Sequence, residues 1–315
     1  MKKTLVAAAI LAASGASFAQ ATITGNYTFG WTNNTTAAGL VSSGLSTDTA
    51  AVQFAATEDL GGGMTAAAQV SFGGGARGKT LGGENAFVQI AGGFGKIKMG
   101  AMEAGVAYDV NSGVGAPGYG MDGAVLAANV TNDSVTYTLP AFGAFAVSLG
   151  YADYSAVAAT AGDYGNDAGT AASPRSVNVT ASYAGGALAA RARYQSYANQ
   201  DSSATSSASR QYIDASYDLG AVKVGFGFAQ SQYNGGKENA TQSQVDVAAP
   251  LGALTVGASW ANSKGGGAAA KTGYQLGASY ALSKRTSINP AYRNWTTDGV
   301  SGNNSDYRVL VSHSF

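Results

Sequence analysis

The sequence predicts an all-β fold, a transmembrane antiparallel β-barrel of 16 strands, on three observations. An apolar/polar alternation with a period of two recurs along the chain, the spacing of strands whose two faces meet different media. Short glycine-rich turns alternate with long polar connections, as in a barrel strung between two membrane rims. The last strand places Tyr307, Val309, Val311, His313 and Phe315 on one face, with Arg308, Leu310, Ser312 and Ser314 on the other. That face is bulky and ends in an aromatic, which suits a lipid interface, and the strand is long enough to cross a bilayer at a tilt.

Composition points the same way. Charged residues are 11% of the chain, far below the ~25% of soluble domains. Mean hydropathy is near zero, the value that alternation averages to. Cysteine is absent, which excludes disulfides and thiolate metal sites. No segment after the first twenty residues offers the roughly 18 consecutive apolar residues of a spanning helix. Removing Lys2 and Lys3 from 18 basic against 18 acidic residues leaves a mature charge near −2, which argues against a nucleic-acid partner.

Taking the elements in order, Met1-Lys2-Lys3 is a basic start, Leu5 to Ala13 an apolar stretch, and Ser17-Phe18-Ala19 a small-x-small cleavage site. Residues 1–19 therefore read as a signal peptide, with 20–315 as the barrel; cleavage after Ala21 fits nearly as well. The apolar run is about half of what a membrane anchor needs.

The first mature strand alternates Ile23, Gly25, Tyr27, Phe29 and Trp31 with Thr22, Thr24, Asn26 and Thr28. Val52-Phe54-Ala56 and Met64 to Phe72 follow, then Val135 to Leu139, Phe145 to Tyr151 and Val177 to Tyr183. Val222 to Phe228, Val245 to Leu251, Leu254 to Trp260 and Tyr274 to Leu282 are the clearest of the remainder. Seven short turns lie at 60–63, 92–95, 140–143, 184–187, 218–221, 250–253 and 282–285. Eight long connections span roughly 33–49, 73–84, 103–132, 153–175, 198–210, 231–241, 262–272 and 296–305. The count gives 16 strands, and a barrel of that size leaves an aqueous channel where eight strands would fill theirs.

Several segments carry a family resemblance. Thr57 to Gly63, Ala86-Phe87-Val88-Gln89-Ile90 with Gly93-Phe94-Gly95, Tyr280 to Thr286 and the closing His313-Ser314-Phe315 resemble the trimeric general porins of Gram-negative outer membranes, closest to the β-proteobacterial porins. The resemblance runs from residue 22 to 315. It implies a homotrimer in the outer membrane, lipid bilayer and lipopolysaccharide as surroundings, and assembly by the barrel-assembly machinery. It also implies an assembly signal in Tyr307, Val309, Val311, His313 and Phe315, and a third long loop, 103–132, folded into the barrel to constrict it. That loop carries Glu103, Asp109 and Asp122, with a short helical patch expected over Met121 to Asn129.

Opposite that loop the family places basic residues. Parity selects Arg191 and Arg193, which alternate with Ala190, Ala192 and Tyr194, and Lys96 and Lys98, which alternate with Ile97 and Met99. Lys223 and Arg308 oppose apolar stripes in the same way. A charge turned to lipid near mid-membrane costs about 2–4 kcal/mol, so these six should face the lumen. Asn85 and Ala101 stand where family members often carry arginine, with Arg77 and Lys79 as possible substitutes from the preceding loop.

Chemistry beyond permeation has little to work with. His313 is the one histidine, so Ser-His-Asp catalysis would have to run through it, and His/Cys metal sites are excluded. Asp163 and Asp167 lack a calcium-loop spacing. The expected function is passive diffusion of ions and small hydrophilic solutes, with no enzyme activity and no cofactor. The alternatives are a substrate-specific channel, for which Tyr108, Tyr119, Tyr197 and Tyr212 could supply a site, and, less well supported, an outer-membrane hydrolase.

Overall fold

The computed structural model describes residues 20–74, 82–103, 112–128, 131–153, 175–198 and 207–315. Their first half holds β1 (Gln20–Thr35), β2 (Val41–Gly61), β3 (Met64–Gly73), β4 (Gly82–Gly92), β5 (Gly95–Glu103), β6 (Thr131–Thr138), β7 (Phe145–Asp153) and β8 (Arg175–Gly185). The second half holds β9 (Leu188–Ala198), β10 (Ser207–Asp218), β11 (Lys223–Tyr233), β12 (Ala240–Leu251), β13 (Leu254–Gly265), β14 (Ala268–Ala281), β15 (Thr286–Thr297) and β16 (Asn304–Ser314). Each strand pairs with its sequence neighbours, and β1 pairs with β16 to close the barrel. Closure leaves no unpaired sheet edge, which the hydrocarbon core would penalise.

The seam is fastened on both faces. Gly25 and Phe315 exchange backbone N–H···O bonds of 3.0 Å. A Cβ on Gly25 would collide with the Phe315 ring, so the ring fills the place that glycine leaves open on the outer face. On the inner face the Asn26 amide donates to Ser312 and Ser314, each at 3.1 Å.

Burial is inverted relative to a soluble domain. Ile23 (62% exposed), Phe226 and Leu276 stand outward, while Gln195, Gln275, Asp246 and Asp306 are buried inward. Such a surface is stable only against lipid. Aromatics cluster at the short-turn rim, where Phe142 and Tyr183 each pack on Phe145, at 5.7 and 4.9 Å between centroids.

Two of the long connections are shorter than the sequence suggests. β1 and β2 continue as a hairpin to a turn at 36–40, and β13 and β14 meet across Gly266 and Gly267. These strand ends pass beyond the alternating stretch that lipid requires: β2 runs 21 residues, about twice the 9–11 needed to span. With water on both faces the alternation fades, and a strand reads as a loop. In β2 the pairing also skips Asp48, where a bulge falls between the pairs Thr28↔Thr49 and Phe29↔Thr47.

Candidate functional site

The register lays out rows of side chains around half of the inner wall. Ser216, Gly225, Asp246, Ser259, Gln275, Arg293 and Asp306 are successive cross-strand partners from β10 to β16. Toward the short-turn rim runs a row of small residues, Ala248, Gly257, Gly277 and Ala291, ending at Arg308. Residues 112–118 lie directly on these rows. A Cβ on Gly225 would collide with the Ser112 carbonyl, one on Gly257 would lie 2.7 Å from the Pro117 side chain, and one on Gly277 would collide with the Pro117 carbonyl. The small residues form a seat for the loop, which sits inside the barrel.

The loop is tied down at several points. Ser112 donates to the Asp246 carboxylate, which also accepts from Gln244 at 2.8 and 3.0 Å. Gly118 (φ 152°) and Gly120 (φ 76°) adopt backbone angles that L-residues avoid, and this turns their carbonyls to the wall. Arg308 Nη2 donates to the Gly118 carbonyl at 2.7 Å and Arg293 Nη1 to the Gly120 carbonyl at 3.2 Å. Between them the Tyr119 ring lies 4.0 Å from Arg308 and 4.7 Å from Arg293. Burial pushes the Tyr119 phenol up to about 12, so it is neutral at any ordinary pH. The return leg packs Met121, Val125 and Leu126 on Tyr212, Ala229 and Ala261, with Trp295 alongside. Ser263 donates to the Val125 carbonyl at 2.7 Å.

The expected helical patch at Met121 to Asn129 is absent among the described residues. Val125 and Leu126 both donate to the Met121 carbonyl, but the segment is a single turn closed by an Asp122↔Leu126 bridge. Gly123, at φ 71°, takes the chain out of helical space.

The sequence-selected cations meet different fates. Arg191 pairs with Asp214 at 2.9 Å and donates to the Tyr212 hydroxyl at 2.7 Å. Arg308 pairs with Asp48 at 2.6 Å. Arg193 donates to Thr180 at 3.2 Å, and the Lys98 ammonium sits 3.8 Å over the Phe87 ring. Lys96 and Lys98 are half-buried on the β5 face opposite exposed Met99, and Lys223 is half-buried at the start of β11. Asp122 is exposed at the turn. Asp109, Tyr108, Arg77, Lys79, Asp163 and Asp167 lie outside the described residues, as does the side chain of Glu103. Tyr197 and Tyr212 are both buried, on β9 and β10.

Parity alone would also have selected Arg293 and Arg210. Arg293 is held by Asp306 at 2.6 Å, and buried Arg210 donates to Gln242 at 3.1 Å. Beneath the loop a cavity of ≈ 450 Å³ is bounded by Thr28, Asp48, Ser279, Asn289 and Arg308 among others, a polar, wettable lining. On the outer face Tyr307, Val311 and Phe315 are exposed, and His313 Nδ1 lies 2.9 Å from the Thr286 hydroxyl. Among the described residues no group of three His, Cys, Asp or Glu could hold a metal.

A closed 16-stranded barrel with an apolar exterior, a polar interior and a loop laid along its inner wall is an outer-membrane diffusion channel. Residues 5–299 match the family described as Gram-negative porin, and the chain belongs to that family. It is a channel protein of the outer membrane and not an enzyme. Among solved structures it is similar to the anion-selective porin from Comamonas acidovorans, with 21% identity, TM-score 0.72, and 94% of this chain and 100% of that one covered. It is also similar to Salmonella typhi OmpF in complex with daunomycin, with 17% identity, TM-score 0.73, and 94% and 98% covered. A third similar structure is OmpT of Vibrio cholerae lacking loop L8, with 12% identity, TM-score 0.69, and 94% and 99% covered. No curated protein matches the chain.

Proposed function

We propose that this porin passes ions and small hydrophilic solutes through an eyelet between the docked loop and the wall that carries Lys96, Lys98, Arg191 and Arg193. The observation that carries the reading is the one-sided seat. The loop is held against β10–β16, so the open cross-section faces the other strands, where β5 and β9 bring these four residues. Long, charged side chains there lie within about a Debye length, ~8 Å at physiological salt, of a permeating ion. Glu103, Asp109 and Asp122 act in the opposite electrostatic sense, and Lys223 and Arg308 lie nearer the seat than the open side. Residues 1–19 act as the export signal, the mature chain assembles as a homotrimer through the barrel-assembly machinery and sits among lipopolysaccharide, and Tyr307 to Phe315 serve as the assembly signal. Thr57 to Gly63, Tyr280 to Thr286 and the closing His313-Ser314-Phe315 support a kinship with the β-proteobacterial porins.

Reversal potentials in a salt gradient, measured on purified protein in planar bilayers, test the eyelet. The Arg191→Gln, Arg193→Gln double variant is expected to shift toward cations; an unchanged potential removes both residues from the eyelet. Amino-terminal sequencing of outer-membrane material is expected to begin at Gln20, and a start at Met1 would refute the signal. Heat-resolved electrophoresis with cross-linking distinguishes a trimer from a monomer.

A further inference from the structure

We propose that Tyr119 is the positioning residue that fixes the bend of the loop, and that Arg293 and Arg308 serve it as anchors instead of as cations of the channel. The inference rests on the channel reading above and adds what sets the width of the opening. Each guanidinium does three things at once. Arg308 meets the Asp48 carboxylate at 2.6 Å, the Gly118 carbonyl at 2.7 Å and the Tyr119 ring. Arg293 meets the Asp306 carboxylate at 2.6 Å, the Gly120 carbonyl at 3.2 Å and the same ring. The Gly120 N–H donates to Gln275 at 2.8 Å, and Gln275 is braced by Ser259 at 2.9 Å. Three consecutive loop residues are therefore bound by β14, β15 and β16, with Asp48 of β2 bracing Arg308.

Among the described residues, the hydrogen bonds that hold the bend converge on this point, beside the seat of Pro117 on Gly257 and Gly277. The outgoing leg is tied near β11 and β12 through Ser112 and Asp246, and the return leg through the Val125 carbonyl and the apolar cluster. With both legs fixed and the bend released, the tip would swing into the lumen. The Tyr119 hydroxyl is buried without a hydrogen-bond partner, so the ring holds it, through cation–π contact. The two flanking glycines are needed because their positive φ values aim both carbonyls at the guanidiniums. A planar guanidinium can stack and donate together; an ammonium of the same charge cannot.

Single-channel recording and liposome swelling with sugars of graded size test this. Wild type and Tyr119→Phe are expected to share a quiet open level and one size limit. Tyr119→Leu is expected to show a severalfold rise in open-channel noise and a changed size limit, with its reversal potential unmoved, since no charge is altered. Arg308→Lys should reproduce the noise at constant charge, and it keeps the test available if Tyr119→Leu does not fold. Quiet, wild-type-like channels from Tyr119→Leu or from Arg308→Lys would overturn the proposal, as would Tyr119→Phe behaving like Tyr119→Leu. A wild type that conducts no ions would refute the channel reading instead, so the two failures are distinguishable.

Discussion

The inner wall has two halves that use the same residue types for different ends. From β10 to β16 it is a fitted seat of small residues, with arginines that are paired to carboxylates and donate to the loop backbone. On β5 and β9 the inward cations include Lys98 over an aromatic ring and Arg193 on a threonine hydroxyl. Arg308 and Arg193 have the same parity, yet one donates to the loop backbone and the other to a hydroxyl of the neighbouring strand. Inwardness is a property of one strand, whereas duty is set by what the neighbouring strands present.

The largest effect that would break this contrast comes from filling the seat. Gly277→Val should cost about 1–3 kcal/mol through overpacking and displace Pro117, raising conductance and noise. Gly83→Ala, where a Cβ meets nothing within 4 Å, should leave the trace unchanged. Equal traces from both variants would mean that the loop is not seated there.

Next in size is closure of the barrel. Deleting Phe315 removes two backbone hydrogen bonds and the ring over Gly25, whereas Ser314→Ala removes one acceptor of Asn26. The yield of folded, heat-modifiable barrel should fall sharply for the first and little for the second.

Charge changes on the open side come third. Lys96→Gln with Lys98→Gln should move the reversal potential toward cations without added noise. The smallest effect sharpens the comparison: removing Arg191 and Asp214 together, as Gln and Asn, deletes a cation and the anion 2.9 Å away. Their fields nearly cancel at a distance, so the potential should stay close to wild type. A shift as large as that of the lysine pair would mean that Arg191 acts as an unpaired charge.

Much of the fold was legible because lipid imposes a two-residue period and closure imposes an even strand count. The inward parity of Arg308 follows from the period, and the number 16 from the alternation of seven short turns with eight long connections. The extended hairpin at 36–40 was not legible, since water on both faces erases the period. Nor were the ion pairs: Arg191 with Asp214, Arg293 with Asp306 and Arg308 with Asp48 depend on cross-strand register, which a single sequence does not fix. The seat could have been suspected from Gly225, Gly257 and Gly277, inward glycines in mid-strand where no turn needs them.

The bulge at Asp48 carries a further consequence. Below it, even-numbered residues of β2 share the outer face, since Val52 pairs with Gly25 and Phe54 with Ile23; above it the odd-numbered ones do, since Thr47 pairs with Phe29 and Leu45 with Trp31. The extra residue is a phase shifter that keeps the outward side outward while the sequence parity that supplies it changes. The same residue supplies the carboxylate that Arg308 meets. Deleting it would let Thr47 follow Thr49 in an unbroken ladder, with every other side chain kept on its face, but would take away the carboxylate that braces Arg308. The residue that interrupts the rhythm of the strand is retained where it can also steady the loop.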